Sequence, residues 1–550
     1  MIQVRELTLW FNEHEHPTIN KLSFDLRSGE TMLLLGPSGS GKSTLTCCLN
    51  GIYPRELDGE IAGDIHIFGT SIQDTKPGEM SKHVGVVFQD PESQFCMLTV
   101  EDEIAFGLEN IDTPKDKIAT KIDEVLQMVG LTAYKEANIH SLSGGQKQKL
   151  ALACILALEP DFIILDEPSA NLDPLAKQAF IQTMKHIQED KKIGLIVIEH
   201  QLDGWVSFIE RTFILSKAGH GIFDGSLTEA ITKHADLFQL EGIALPSITE
   251  LALQACHNNQ AVFSKIPFTY EDFTTHMSYL DQTFLETTAK KSCALEPIIE
   301  VHNVKLSKKK QKILRDITFS WAGPSFIAVT GANGSGKTSL TRLLAGIEFP
   351  SAGNIYVNNR SIDQWKQKEL QQQIGYVFQN PEHQFITDRV FDEIAYTLRL
   401  RAYPEATVQE KVHQTLASCQ LQGMENRHPY TLSQGQKRRL SVATMIVDEQ
   451  NILFLDEPTF GQDAASTREL MHLLAARYKN GTTIIMVTHD MDLVDKYANR
   501  VVVLKNGEIV ADETPTQLWE RPQLSKWNLD YPTRIKLKRH MEGSHVCITK

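Results

Sequence analysis

Two stretches of this 550-residue chain, GPSGSGKS (36–43) and GANGSGKT (331–338), carry the pattern GxxxxGK[ST]. Set between a strand and a helix, such a loop cradles phosphates. Its glycines let backbone N–H groups converge, and the helix N-terminus adds positive potential. Gly36, Gly39, Gly41, Lys42, Ser43 and Thr44 are therefore candidate nucleotide contacts in the first loop, as are Gly331, Gly334, Gly336, Lys337, Thr338 and Ser339 in the second. The lysines reach the β- and γ-phosphates, and the hydroxyls of Ser43 and Thr338 suit Mg²⁺. Two apolar runs then end in Asp-Glu, IILDEP (163–168) and LFLDEP (453–458). An aspartate closing a buried strand needs a partner, so Asp166 and Asp456 fit the second Mg²⁺ contact. Glu167 and Glu457 follow directly and are placed to polarise an attacking water. A glutamate that only caps the next helix is the blander role, and the cation site beside it argues against that. The chemistry implied is hydrolysis of a nucleotide's terminal phosphate.

The elements needed to position these groups are legible as well. Thr31–Leu35 and Phe326–Thr330 are short β-rich runs leading into the two loops, and the runs at 162–165 and 452–455 end at Asp-Glu. Others, at 195–198 and 483–487, end near His200 and His489. Near-continuous apolar runs of this length are what strands of a doubly covered parallel sheet look like. Functional residues past their carboxyl ends match where open α/β sheets bind ligands.

The motifs recur in order. VGVVFQDPESQF (84–95) returns as IGYVFQNPEHQF (374–385), and LSGGQ (142–146) as LSQGQ (432–436), each 290 residues on. Five motifs that keep their order at a nearly constant offset, 289 to 295 residues, mark two copies of one domain. The expected division is a first domain at 1–243, a helical extension and linker at 244–296, a second domain at 297–525 and a basic tail at 526–550. Within the linker, 244–255 has apolar residues at helical intervals and should form a short packed helix.

Composition bounds the alternatives. A net charge of −14 argues against general nucleic-acid affinity. The basic run RIKLKRH (534–540) reads as a solvated tail. No apolar run approaches the length of a membrane-crossing helix, and the first residues lack the pattern of a signal peptide. The eight cysteines contain no CxxC and read as small buried residues in a reducing compartment.

The combination of phosphate loop, glutamine after an apolar strand, LSGGQ, Asp-Glu and downstream histidine resembles an ATP-binding-cassette ATPase, in both halves. The resemblance implies an α/β fold with two P-loop NTPase domains in tandem. Each would have a mainly parallel core, a β subdomain and a helical subdomain. It further implies ATP and Mg²⁺ as cofactors and head-to-tail packing. Ser143 and Gly145 would then face nucleotide on the second loop, and Ser433 and Gly435 nucleotide on the first. Physically, LSGGQ precedes an apolar-periodic stretch expected to be helical, and a helix N-terminus is an anion site. Gln89 and Gln379 resemble the family's switch glutamines, which touch Mg²⁺-bound water. His200 and His489 resemble its γ-phosphate histidine.

Two departures stand out. The family stacks adenine on an early aromatic, for which Phe11 fits and Trp10 is the alternative. The second half has Lys308 there and no ring, so weaker adenine binding is expected at the second loop. LSQGQ carries Gln434 in place of glycine, a change expected to be mild because the flanking serine and glycine remain.

The segments FQDPESQF and TVEDEIAFGLEN are similar to ATPases of energy-coupling-factor importers, including their cobalt-uptake relatives. Fused ATPases of this kind resemble those in modules for thiamine precursors. The resemblance implies a membrane scaffold protein and a separate substrate-binding membrane protein as partners, with the ATPase peripheral on the cytoplasmic face. The segments 91–98 and 381–388 should meet those partners, with Phe95 and Phe385 as apolar anchors. The rival is a soluble tandem ATPase acting on ribosomes or nucleic acid, whose linker should be a long, charged and often basic helical arm. The linker here is acidic and mixed.

Overall fold

The computed structural model describes residues 1–12, 16–76, 78–170, 172–285, 297–308, 311–448, 450–459 and 461–543. The chain forms two compact units, Met1–Ser247 with Asp463–Ala465, and Ile248–Gln462 with Ser466–Lys550.

The first unit contains β1 (Ile2–Phe11), β2 (Ile19–Leu26), β3 (Thr31–Leu35), β4 (Gly59–Ile67), β5 (Thr70–Ser71), β6 (Val84–Val87), β7 (Phe162–Asp166), β8 (Gly194–Ile198), β9 (Arg211–Leu215) and β10 (Gly221–Gly225). The main sheet runs β10-β9-β3-β8-β7-β6, parallel except for the β9–β10 edge. Every residue of β3, β7 and β8 is buried, as the unbroken apolar runs require. Asp166 lies opposite Ile198, and Leu34 opposite the same residue, so the carboxyl ends of the three strands lie level. A smaller sheet, β2-β1-β4-β5, packs its apolar face on one side of the main sheet, sharing a core of Val4, Leu9, Phe24, Leu34, Ile164 and Ile196. A helical layer follows, with helices Val100–Asn110, Lys115–Val129 and Gly144–Ala157.

The second unit opens with β11 (Ala261–Phe263) and β12 (Met277–Leu280), a two-stranded antiparallel pair. It then repeats the plan with β13 (Pro297–Lys308), β14 (Gln311–Ala322), β15 (Phe326–Thr330), β16 (Ala352–Val357), β17 (Arg360–Ser361), β18 (Ile374–Val377), β19 (Ile452–Asp456), β20 (Thr483–Val487), β21 (Arg500–Lys505) and β22 (Glu508–Glu513). The sheet orders are β14-β13-β16-β17 and β18-β19-β20-β15-β21-β22, the same two layers.

The segment after the first domain is more than a helix and a linker. The expected helix is present as Ser247–His257, with Ile248, Ala252 and Ala255 buried. It packs with β11, β12 and helix Tyr270–His276 into a separate small core. Residues 286–296 of the expected linker lie outside the described residues.

The basic run at 534–540 departs from the solvated tail expected of it. It lies in helix Thr533–Gly543, whose Leu537 and Met541 join that small core. Three of its charges are taken up internally. Arg534 pairs with Asp495 at 2.8 Å, Lys536 with Asp530, and Arg539 sits 3.8 Å over the Tyr531 ring. Thr533, Leu537 and Met541, four residues apart, form one buried face of this helix, and Ile535 packs into the cassette core on another.

The cysteines also divide. Cys48 and Cys419 are buried, whereas Cys96 and Cys256 are exposed, contrary to the uniform burial expected.

Candidate active site

Each phosphate loop connects a buried central strand to a helix, β3 to Lys42–Leu49 and β15 to Lys337–Leu344. Gly41 and Gly336 enter these helices at φ 92° and 103°, a backbone region open to glycine. A Cβ on Gly41 would stand 2.8 Å from the Thr18 carbonyl oxygen, so a side chain has no room there. At Gly39 and Gly334, by contrast, a Cβ would meet nothing within 4 Å, so the loop's outer side is open.

The loop lysines are buried and held in place. Lys42 Nζ donates to the carbonyls of Gly36 at 2.7 Å and Pro37 at 2.9 Å, and Lys337 Nζ to those of Gly331 at 2.8 Å and Ala332 at 3.0 Å. Burial pushes the Lys42 ammonium below its ordinary pKa, against the nearby charges of Glu167 and Asp166.

The strand-end carboxylates stand beside the loop hydroxyls. Ser43 faces Asp166 and Thr338 faces Asp456, and each hydroxyl favours the ionised carboxylate against its burial. Burial pushes the Asp166 carboxyl up to about 6, with the Ser43 hydrogen bond and the charges of Lys42 and His200 opposing it. Burial likewise raises Asp456. Asp456 Oδ1 is buried with no hydrogen-bond partner among the described residues. An orphaned carboxylate oxygen beside a threonine hydroxyl is a donor set that fits a hard divalent cation.

Glu167 and Glu457 both take left-handed backbone, φ 48° and 50°. Their N–H groups donate to Ile198 and Val487 on the neighbouring strands, at 2.9 and 3.1 Å. That turn aims each carboxylate at a histidine, with His200 Nε2 2.9 Å from Glu167 and His489 Nε2 3.1 Å from Glu457. Burial raises Glu167, but the His200 contact and the charges of His200 and Lys42 outweigh it and leave the carboxyl below its ordinary pKa. Gln89 Nε2 also donates to Glu167, at 2.9 Å. The first unit thus brings Lys42, Ser43, Asp166, Glu167, His200 and Gln89 to one edge of the sheet. In the second, Lys337, Thr338, Asp456, Glu457 and His489 repeat the cluster.

Ser143, Gly145, Ser433 and Gly435 belong to a different element. Ser143 and Ser433 are N-caps of helices Gly144–Ala157 and Gln434–Ile446, each in a reciprocal capping box with Gln146 or Gln436. Ser143 is exposed, so the helix N-terminus is open to an anion. The side chain of Gln434 lies outside the described residues.

The two positions expected to meet adenine differ as the residue types do. Phe11 is half-buried, edge-on to Tyr53 with ring centroids 6.1 Å apart. Lys308 carries no ring, and its Nζ lies 2.7 Å from Glu348. The exposed ring of Phe349, next in sequence to that glutamate, had no motif to announce it.

A family model described as ABC transporter matches residues 19–170 and 314–460, the two regions holding the phosphate loops, the Asp-Glu strands and the capped helices. The chain belongs to the ABC transporter family. It is 43% identical over 523 residues, 95% of this chain and 93% of the relative, to a Bacillus subtilis (strain 168) protein named "Putative HMP/thiamine import ATP-binding protein YkoD". It is 34% identical over its full length to a Clostridium perfringens (strain 13 / Type A) ABC transporter ATP-binding protein, covering 97% of that protein. Among solved structures it resembles cbiO1 from Clostridium perfringens, part of the ABC transporter complex cbiONQ. That match has 30% identity and a TM-score of 0.39, covering 44% of this chain and 99% of that one. The chain is an ABC ATPase with two ATP-binding cassettes, and the resemblance drawn from its motifs holds.

Proposed function

We propose that this ABC ATPase hydrolyses ATP at two head-to-tail composite sites to power import through partner membrane proteins of an energy-coupling-factor transporter. The observation that carries the catalytic half of this reading is the repetition of a complete acid, base and cation set in both cassettes. Lys42 and Lys337 exchange their loop carbonyls for the β- and γ-phosphates. Ser43 with Asp166, and Thr338 with Asp456, fit Mg²⁺, with Gln89 and Gln379 as further contacts through water. When bound, Mg²⁺ supplies neutralisation of charge on those phosphates. Glu167 and Glu457 accept the proton of the attacking water, oriented by Gln89 and Gln379. His200 and His489 hold the γ-phosphate. Ser143 and Gly145 offer a helix N-terminus to ATP on the second loop, and Ser433 and Gly435 to ATP on the first.

The importer half rests on the likeness to the Bacillus subtilis import ATPase over nearly the whole chain. The substrate class is a vitamin, a vitamin precursor or a metal ion, with a thiamine-related compound favoured by that relative's name. Among the described residues no helix is long and apolar enough to cross a membrane. By its likeness to that import ATPase, we read the chain as a peripheral subunit at the cytoplasmic face, held by a scaffold protein and a substrate-binding membrane protein. Within the expected docking segments the outward apolar residues are Leu98 and Ile386, 66% and 63% exposed. Phe385 is buried in the helical-layer core and Phe95 is half-buried, so the anchor role passes from the phenylalanines to their neighbours.

Affinity capture from detergent-solubilised native membranes tests the reading. Recovery of a polytopic scaffold together with a small substrate-binding membrane protein is expected, and recovery of ribosomal particles alone would sink it. In the purified chain, Ser433→Arg should lower turnover at the first phosphate loop. Unchanged first-loop turnover would refute the composite arrangement.

A further inference from the structure

The two switch segments start alike, at the ends of β6 and β18, yet different neighbours brace them. In the first cassette Gln94 folds back on its own loop. Its Oε1 accepts from the Phe88 N–H at 3.1 Å, and its Nε2 donates to the Val86 carbonyl at 3.1 Å. The matching Gln384 is turned toward the signature helix, Gln434–Ile446. Its Oε1 accepts from the Ser441 hydroxyl at 2.8 Å, and its Nε2 donates to the Ser441 carbonyl at 2.9 Å and to the Thr444 hydroxyl. Ser441 and Thr444 stand where the first cassette has Ala151 and Cys154, which offer no hydroxyl.

A different part of the second loop is held by Arg438. Its Nη1 donates to the Phe378 carbonyl at 2.6 Å and its Nη2 to the Gln379 carbonyl. Arg438 lies in the second turn of the same helix, where the first cassette carries Gln148. Gln148 Nε2 is buried with no hydrogen-bond partner among the described residues, so that amide makes no equivalent tie. Arg438 is 2% exposed, and burial pushes its guanidinium down to about 10, against the charges of Asp456 and Glu457. Keeping a charge there is costly, and a neutral amide fills the same place in the other cassette.

We propose that Arg438 is a positioning residue of the second ATP site, tying the Phe378–Gln379 backbone to the signature helix so that switch glutamine and helix move together. The inference rests on the reading of Gln379 as the switch glutamine. A planar fork suits two adjacent carbonyls, which a lysine cannot hold in the same fixed geometry. Because a guanidinium stands at this helix position in one cassette and an amide in the other, the two sites respond unequally when their signature helices move.

The test uses the full chain with Glu167→Gln, which confines turnover to the second site. On that background Arg438→Gln should lower kcat about tenfold, the scale of a small misplacement of a catalytic group, with the KM for ATP within about twofold. Arg438→Lys should recover part of the loss, and it carries the test if the glutamine variant fails to fold. The deciding measurement is a cycle with Gln379→Ala. Since Arg438 acts through that segment, adding Arg438→Gln to Gln379→Ala should cost less than about twofold more. An unchanged kcat for Arg438→Gln, or an equal loss on both backgrounds, would overturn the proposal. If Gln379→Ala alone leaves kcat unchanged, the switch-glutamine reading fails, and the proposal falls with it.

Discussion

Glu167 and Glu457 hold a backbone conformation that costs a non-glycine residue about 1–3 kcal/mol, and both cassettes keep it. The strand-to-strand hydrogen bonds at 2.9 and 3.1 Å fix that turn, and the histidines fix the carboxylates. Glutamine in either place preserves shape and loses the carboxylate proposed as the base. Glu167→Gln and Glu457→Gln should therefore each lower steady-state ATP turnover, and the double variant should nearly abolish it. Full activity in either single variant would mean that its site is silent in the parent. Asp166 makes a different prediction. Its pKa is raised by burial to about 6 from 3.8, so the native state keeps a proton that the unfolded chain releases between those values. Stability without nucleotide or Mg²⁺ should therefore fall as pH rises through that window, with the full penalty above about pH 6. Asp166→Asn removes the charge, so at pH 7.5 it should be the more stable protein by on the order of 2–3 kcal/mol. The gain should vanish near pH 4, as read by denaturant melts across pH. A gain that ignored pH would rule out the buried charge as its cause.

The loop after Gln89 and the loop after Gln379 are each built by a buried glutamate from the next helix. Glu103 Oε2 accepts from the Cys96 and Met97 N–H groups at 2.9 and 2.7 Å, and Glu393 Oε2 from Ile386 and Thr387 at 3.0 and 2.8 Å. Charge-assisted bonds of this kind are strong, and they present Leu98 and Ile386 outward. Leu98→Asp combined with Ile386→Asp should release the ATPase from membranes while leaving basal turnover and folding intact, as measured by membrane sedimentation alongside ATPase assays. Persistent membrane binding would remove these residues from the docking surface. The phosphate loops, Asp-Glu strand ends and capped signature helices were legible in sequence, because each needs particular residue types at fixed spacing. That neither Phe95 nor Phe385 stands exposed was not, since Phe385 is buried by helices whose packing no local motif encodes. The Arg438 tie was equally hidden. Gln94 and Gln384 are identical in type and motif, and only their surroundings send them to different partners.

At the scale of the molecule, the second unit is closed by its two ends. The small core of helix Ser247–His257, β11, β12 and helix Tyr270–His276 is completed by Leu537 and Met541 from the last described helix. Leu537 is fully buried, so Leu537→Ala should cost about 2–5 kcal/mol locally. Amide-exchange protection should then fall in Ser247–His257 while the P-loop helices stay protected. Uniform loss across the unit would instead mean that this core and the cassette melt as one. The closure also has a consequence for synthesis. The last described residue of the small core's early part, Leu285, precedes Leu537 by about 250 residues. At roughly 5–20 residues per second on the ribosome, those apolar side chains wait on the order of 10–50 s for their covering helix. A nascent chain must shelter that face until translation is nearly done, and a product cut short before residue 533 carries it uncovered, a standing mark by which quality control can tell an unfinished ATPase from a finished one.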